Sequence, residues 1–162
     1  MKSLYKILSI VFLVILFGCQ QQQTLTDAKK EIIRKEVTEQ YNQLVTAINQ
    51  LDARAWSEFY SKDEFISAFA GTEFYTTRSA WVDTITNYFS MRESQKIEPT
   101  GVQVTALAPD PALLTSQEKT EMQMKSGKEI KFSHVFTMIW KKEPIGWKIL
   151  HSHESWVEEQ VQ

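Results

Sequence analysis

The sequence predicts an α+β domain, helices first and a curved antiparallel sheet after them, carried behind a removable leader. Three observations predict it. Apolar residues recur at helical spacing in separate stretches between Asp27 and Phe89. From about Ser94 the pattern becomes strand-like alternation punctuated by turn signals. At the N-terminus an apolar run of signal-peptide length stops at Cys19, the single cysteine of the 162 residues.

The leader comes first. Lys2 and Lys6 form a short positive region, and Ile7 to Phe17 is apolar apart from Ser9. The run fits the ~7–15 residues of a secretory h-region and falls short of the ~20 that a spanning helix needs. It ends at Leu16-Phe17-Gly18-Cys19, which resembles the lipobox of bacterial lipoproteins, with Leu and Gly in place and Phe17 bulkier than the usual small residue. That resemblance implies cleavage after residue 18, diacylglycerol on the Cys19 thiol and usually a third acyl chain on its amine. Two or more chains anchor stably where one does not. Gln20, where Asp would favour inner-membrane retention, points to the periplasmic side of the outer membrane of a bacterial envelope. The expected divisions are a signal peptide 1–18, a lipidated Cys and tether 19–26, a domain 27–157 and a tail 158–162.

Loss of Lys2 and Lys6 leaves 16 basic residues against 20 acidic, a net charge of −4. The charges are interspersed, which argues against nucleic acid as a partner. With one cysteine the mature chain cannot form an internal disulfide, so a packed core must stabilise it.

Within the domain, Ile33, Val37, Tyr41, Leu44, Val45 and Ile48 make one apolar stripe on a first helix, capped by Thr26 or Asp27. Asp52 can cap a short second helix bearing Trp56, Phe59 and Tyr60. Phe65 to Ala70 reads as a strand ended by Gly71. Thr77 or Ser79 can cap a third helix with Trp81, Ile85, Tyr88 and Phe89 on one side. Lys96 to Ala108 is a strand with a bulge at Pro99-Thr100-Gly101. Leu113 to Met124, Glu129 to Lys142 and Trp147 to Val157 follow through turns at Ser126-Gly127-Lys128 and Glu143-Pro144-Ile145-Gly146. The last four strands are expected to form an antiparallel meander.

Three segments in this order resemble the nuclear transport factor 2-like superfamily, in its SnoaL-like and ketosteroid isomerase-like branch. They are Leu44 to Trp56 with its Asp52, Phe59-Tyr60-Ser61-Lys62-Asp63-Glu64-Phe65, and the closing Gly146-Trp147-Lys148-Ile149-Leu150-His151-Ser152-His153-Glu154-Ser155. The resemblance implies a cone-shaped, cystatin-like fold: a curved antiparallel sheet wrapped around three N-terminal helices, with a pocket inside and a convex face often used for homodimerisation. Carried over residue by residue, the ketosteroid isomerase pattern puts Ala68 where the base Asp would stand, Leu44 where a Tyr would stand, and His134 near a second acid. A methyl group takes no proton, so that chemistry as such is not expected.

His134 is the titratable residue of most interest, because it alternates with Phe132, Phe136, Met138 and Trp140. Glu154, on a face with Leu150, Ser152 and Trp156, can be its carboxylate partner. A hydrogen-bonded core histidine and a ligand-binding or catalytic histidine both fit. Tyr60, Tyr75 and Trp81 are expected to line the pocket with His134 and Glu154, and such pockets suit flat or apolar small molecules. His151 and His153, expected to share a face with Trp147 and Ile149, supply two ligands where catalytic zinc needs three, so no metal is assigned to them. A structural or dimer-contact role suits them better. No Gly-rich phosphate loop, Gly-x-Ser-x-Gly elbow or cysteine nucleophile is present, and no cofactor is expected. The first expectation is therefore binding of a small apolar ligand or a dimerising interaction role. The alternative is an isomerase, dehydratase or cyclase using His134 with Glu154, which requires the two within about 3 Å in an accessible cavity. A third reading puts the functional surface on the convex face, around Trp147, Ile149, Val135 and Ile139.

Overall fold

The structure, a computed structural model, describes residues 25–158. The signal peptide, Cys19 and most of the expected tether lie outside these residues, as does the end of the tail. Helix α1 spans Asp27–Asn49, α2 Ala53–Ser57 and α3 Arg78–Met91. Strands β1 (Ser67–Ala70) and β2 (Glu73–Tyr75) precede α3, and β3 (Arg92–Ala106), β4 (Pro111–Met124), β5 (Glu129–Glu143) and β6 (Gly146–Glu158) follow it. They form one six-stranded sheet in the order β2-β1-β6-β5-β4-β3.

Local chemistry accounts for the helix starts. The side chains of Thr26, Asp52 and Thr77 accept hydrogen bonds from the backbone amides of Lys29, Ala55 and Ala80, satisfying donors that have no partner inside the helix. Leu25 packs against the core. The end of the expected tether is thus structural: Leu25 and Thr26 belong to the folded domain.

The α1 stripe buries Ile33, Val37, Tyr41, Leu44 and Ala47 against the inner face of the sheet. Arg78 fastens α3 to the α2 segment, donating from Nη2 to the Ser57 carbonyl at 2.6 Å. Asn49 fastens the end of α1 to β3, with its Oδ1 accepting from the Ile97 amide at 2.6 Å and its Nδ2 donating to the Ile97 carbonyl at 3.2 Å.

The sheet departs from a four-strand meander in two ways. The chain turns back after Gly71 into β2, and β1 docks parallel to β6, pairing Ser67 with His151 and Ala70 with Glu154. The expected bulge at Pro99–Gly101 is present in β3. A second lies in β6, where Trp140 pairs with Ile149 and Ile139 with His151, so Leu150 is an extra residue. One inserted residue exchanges the two faces of a strand. Trp147 and Ile149 therefore point inward, 3% and 0% exposed, together with Ser152 and Glu154. His151 and His153 do not share their face. The expected convex patch is corrected accordingly: two of its four members lie in the core, leaving exposed Val135 and half-buried Ile139.

Candidate active site

The inner faces of β4, β5 and β6 meet α1 around a cavity of about 400 Å³. Most of its wall is apolar and aromatic, including Trp56, Tyr60, Trp81, Phe132, Phe136 and Met138. Into this wall β4 projects Glu118 and Thr120, both buried, and β5 projects His134, while buried Ser116 backs Glu118. Glu118 and His134 are direct cross-strand partners, which brings their side chains together. Glu154 arrives from β6, two residues before Trp156, the partner of His134.

His134 sits between two carboxylates. Its Nε2–H donates to Glu118 Oε2 at 2.8 Å and its Nδ1–H to Glu154 Oε1 at 2.7 Å. The side chains of His134 and Glu118 are each 3% exposed, whereas that of Glu154 is 18% exposed and reaches the cavity. Burial alone pulls the imidazole pKa down, but the bonds to Glu118 and Glu154 outweigh it and raise it to about 9. His134 is therefore an imidazolium at neutral pH.

Both oxygens of Glu118 are engaged. Its Oε1 accepts from the Tyr41 hydroxyl and from Ser116 Oγ, the latter at 2.5 Å, and its Oε2 from His134. Burial would raise its pKa, yet the bonds from His134, Ser116 and Tyr41 win and hold it below the usual carboxylate range. Burial and the Glu118 charge push the Tyr41 phenol well above its ordinary pKa, so it remains a donor. Deep in the cavity the Tyr60 hydroxyl donates to Ser152 Oγ at 3.3 Å, and burial raises its pKa to about 12. The cluster brings two carboxyl groups to one imidazole. A buried arrangement of this kind is weak support for stability and is a mark of functional sites.

A family model described as the SnoaL-like domain matches residues 37–159. The chain belongs to the SnoaL-like family. Its fold is that of the nuclear transport factor 2-like superfamily. A superfamily protein from Salmonella enterica superposes with a TM-score of 0.72 at 14% identity, covering 81% of this chain and 95% of that one. A candidate dehydratase of the same superfamily from Streptomyces avermitilis gives 0.68 at 17%, covering 76% and 95%. A type 2 hexachlorocyclohexane dehydrochlorinase (LinA) gives 0.69 at 11%, covering 85% and 95%. At these identities the likeness concerns the fold. No curated protein matches the sequence.

Of the residues expected in the pocket of this SnoaL-like domain, Tyr60, Trp81, His134 and Glu154 line the cavity. Tyr75 does not. It lies on β2 with its ring 5.1 Å from that of Trp81, and its hydroxyl bonds Glu73. The Tyr absent at Leu44 is present one turn earlier: Tyr41 occupies the same helix face. Ala68 is fully buried, paired with Tyr75 on β2 and Ser152 on β6. His151 bonds Ser67 Oγ through Nδ1 at 2.8 Å, and with His153 it packs around Phe69 on the outer face. Sequence reasoning missed Glu118 and took Tyr41 for core alone.

Proposed function

We propose that the SnoaL-like domain is an acid–base enzyme of the isomerase or lyase kind, acting on a small, largely apolar molecule. The observation that carries this reading is the Glu154–His134 contact, 2.7 Å long and at the wall of the cavity. One oxygen of Glu154 is held by the imidazolium; the other has no hydrogen-bond partner among the described residues. Glu118, bonded through both oxygens, is the fixed counter-charge. Glu154 is thus the group placed to take a proton from bound substrate. In isomerisation the same proton returns to another atom of the substrate; in elimination it leaves with the departing group. His134 positions Glu154, and its own charge stays paired with Glu118 when Glu154 is neutralised. The titratable pair replaces the base that Ala68 cannot be.

Proton abstraction is readable without knowing the whole reaction. A panel of cyclic enones and hydroxyketones is incubated with the protein in D₂O, and deuterium uptake is followed by mass spectrometry. Uptake should be catalysed by the native domain and lost in Glu154→Gln. If panel members bind, seen as shifted cavity resonances, and no uptake occurs, the domain is a ligand-binding module and the enzymatic reading is wrong.

We further propose that the domain works at a bacterial membrane surface, tethered through lipid on Cys19. The lysines, apolar run and Leu16-Phe17-Gly18-Cys19 support this. Cys19→Ser should abolish the lipid mass on the mature N-terminus and release the protein from membranes; an unchanged mass and distribution would refute the anchor.

A further inference from the structure

Two further charged side chains, Arg92 and Lys128, line the same cavity outside the His134 cluster, and Arg92 is the one set among its aromatic residues. Arg92 stands at the junction of α3 and β3, where α3 ends and the chain enters the sheet. Its guanidinium carbon lies 6.0 Å from the Tyr88 ring centre and 5.7 Å from that of Phe89, against aromatic faces supplied by the last turn of α3. Its Nη1 donates to Gln95 Oε1, a buried amide that also lines the cavity. That is the guanidinium's hydrogen bonding among the described residues. It forms no ion pair with any of them. Glu154 is near enough to act on its charge without reaching it as a salt bridge.

Arg92 is half-buried, so part of its charge is withdrawn from water. Charges withdrawn from water are ordinarily paired, because desolvation is expensive and the guanidinium cannot shed its proton to escape it. Burial does lower the Arg92 pKa. Arg92 lines the cavity with its donor fork only partly filled. A planar fork with free parallel N–H groups matches a carboxylate edge to edge. The rest of the wall suits an apolar body.

We propose that the cavity's ligand is a small apolar molecule bearing one carboxylate, with Arg92 as its anion-binding residue. The aromatic residues Trp56, Tyr60 and Trp81 then enclose the apolar body, and Glu154 faces the portion between. The inference rests on the reading of this cavity as a ligand site, and deepens it by naming the substrate class.

The test uses matched pairs: 2-naphthylacetate with 2-naphthylacetamide, cyclohexylacetate with cyclohexylacetamide, and 4-phenylbutyrate with 4-phenylbutyramide. Affinities are measured by calorimetry on the residue 19–162 chain. At least one acid should bind at least about tenfold more tightly than its amide. Arg92→Met should erase that preference while leaving the amide's affinity within about twofold, and Arg92→Lys should restore part of it. An unchanged preference in Arg92→Met, or no acid favoured over its amide in the native protein, overturns the proposal. Glu154→Gln separates this result from the catalytic reading, because it should keep the acid preference while losing deuterium uptake. Folding of each variant is checked by its amide NMR spectrum, and the Arg92→Lys variant carries the comparison if Arg92→Met is unfolded.

Discussion

Glu118 and His134 face each other across β4 and β5 with Oε2 and Nε2 2.8 Å apart, and both side chains are almost wholly withdrawn from water. The pair makes the domain's stability depend on pH in a definite direction. The His134 pKa in the folded state is about 9, above the ordinary 6.5, with the bonds to Glu118 and Glu154 overcoming burial. A group whose pKa is raised by folding contributes stability that is fully present below its unfolded value and lost as pH climbs through the folded value. The His134 contribution should therefore be complete below about 6.5 and disappear as pH passes about 9. Glu118, lowered by folding, works in the opposite sense: its contribution is present above the ordinary 4.5 and lost as pH falls through its folded value. NMR titration of the imidazole carbons reads this directly. A midpoint at or below 6.5 would show that burial, not pairing, governs the site.

Removing one partner of a buried ion pair leaves the other charge uncompensated. Glu118→Gln preserves the shape and the acceptor for Tyr41, and removes the charge. It should cost roughly 3 kcal/mol at pH 7 by urea denaturation and bring the His134 midpoint down. A loss below about 1 kcal/mol would mean that Glu154 alone suffices to hold the imidazolium.

The pairing explains why half of this site was legible in the sequence and half was not. His134 and Glu154 stood out because each is a charged residue in phase with large apolar neighbours. Glu118 has no such background: Ser116, Glu118 and Thr120 alternate with Gln117, Lys119 and Glu121, so both faces of that stretch of β4 are polar. Period alone cannot tell which side is inward. The hairpin could have: equal steps back and forward from Ser126 land on Glu118 and His134. Tyr41 was visible as a core residue, since a phenol buries its ring whether or not its hydroxyl has a task. The bulge at Leu150 carried no signal at all, there being no glycine or proline between Trp147 and Trp156 to mark it. The helix caps and the meander, by contrast, rest on local chemistry and were readable. The parallel docking of β1 on β6 depends on distant residues and was not.

Asn49 does on the outer side of β3 what another strand would do. Its amide both accepts from and donates to the Ile97 backbone, satisfying an otherwise open edge and fixing α1 over the sheet. Asn49→Ala should lower stability by about 1–2 kcal/mol. The Ile97 amide should also exchange with solvent much faster than its neighbours. Unchanged exchange at Ile97 would show that water or another group replaces the side chain without cost.

Gly71 closes the turn between β1 and β2 with φ of +62°, and a Cβ there would lie 2.9 Å from Cζ2 of Trp156. Two penalties coincide. The left-handed backbone is strained for any side chain, and the indole that lines the cavity must move aside. Gly71→Ala should lose about 1–2 kcal/mol, with the Trp156 indole resonance displaced. The two penalties separate in a double-mutant cycle, because Trp156→Ala removes the clash and leaves the backbone strain. Gly71→Ala should then cost measurably less in the Trp156→Ala background. Equal cost in both backgrounds would assign the whole effect to φ, and would free Trp156 from any role in shaping that turn. A smaller cost ties the β1–β2 turn to the cavity wall, so that ligand affinity should fall with stability in Gly71→Ala and not in conservative changes on the outer face, such as Val135→Thr.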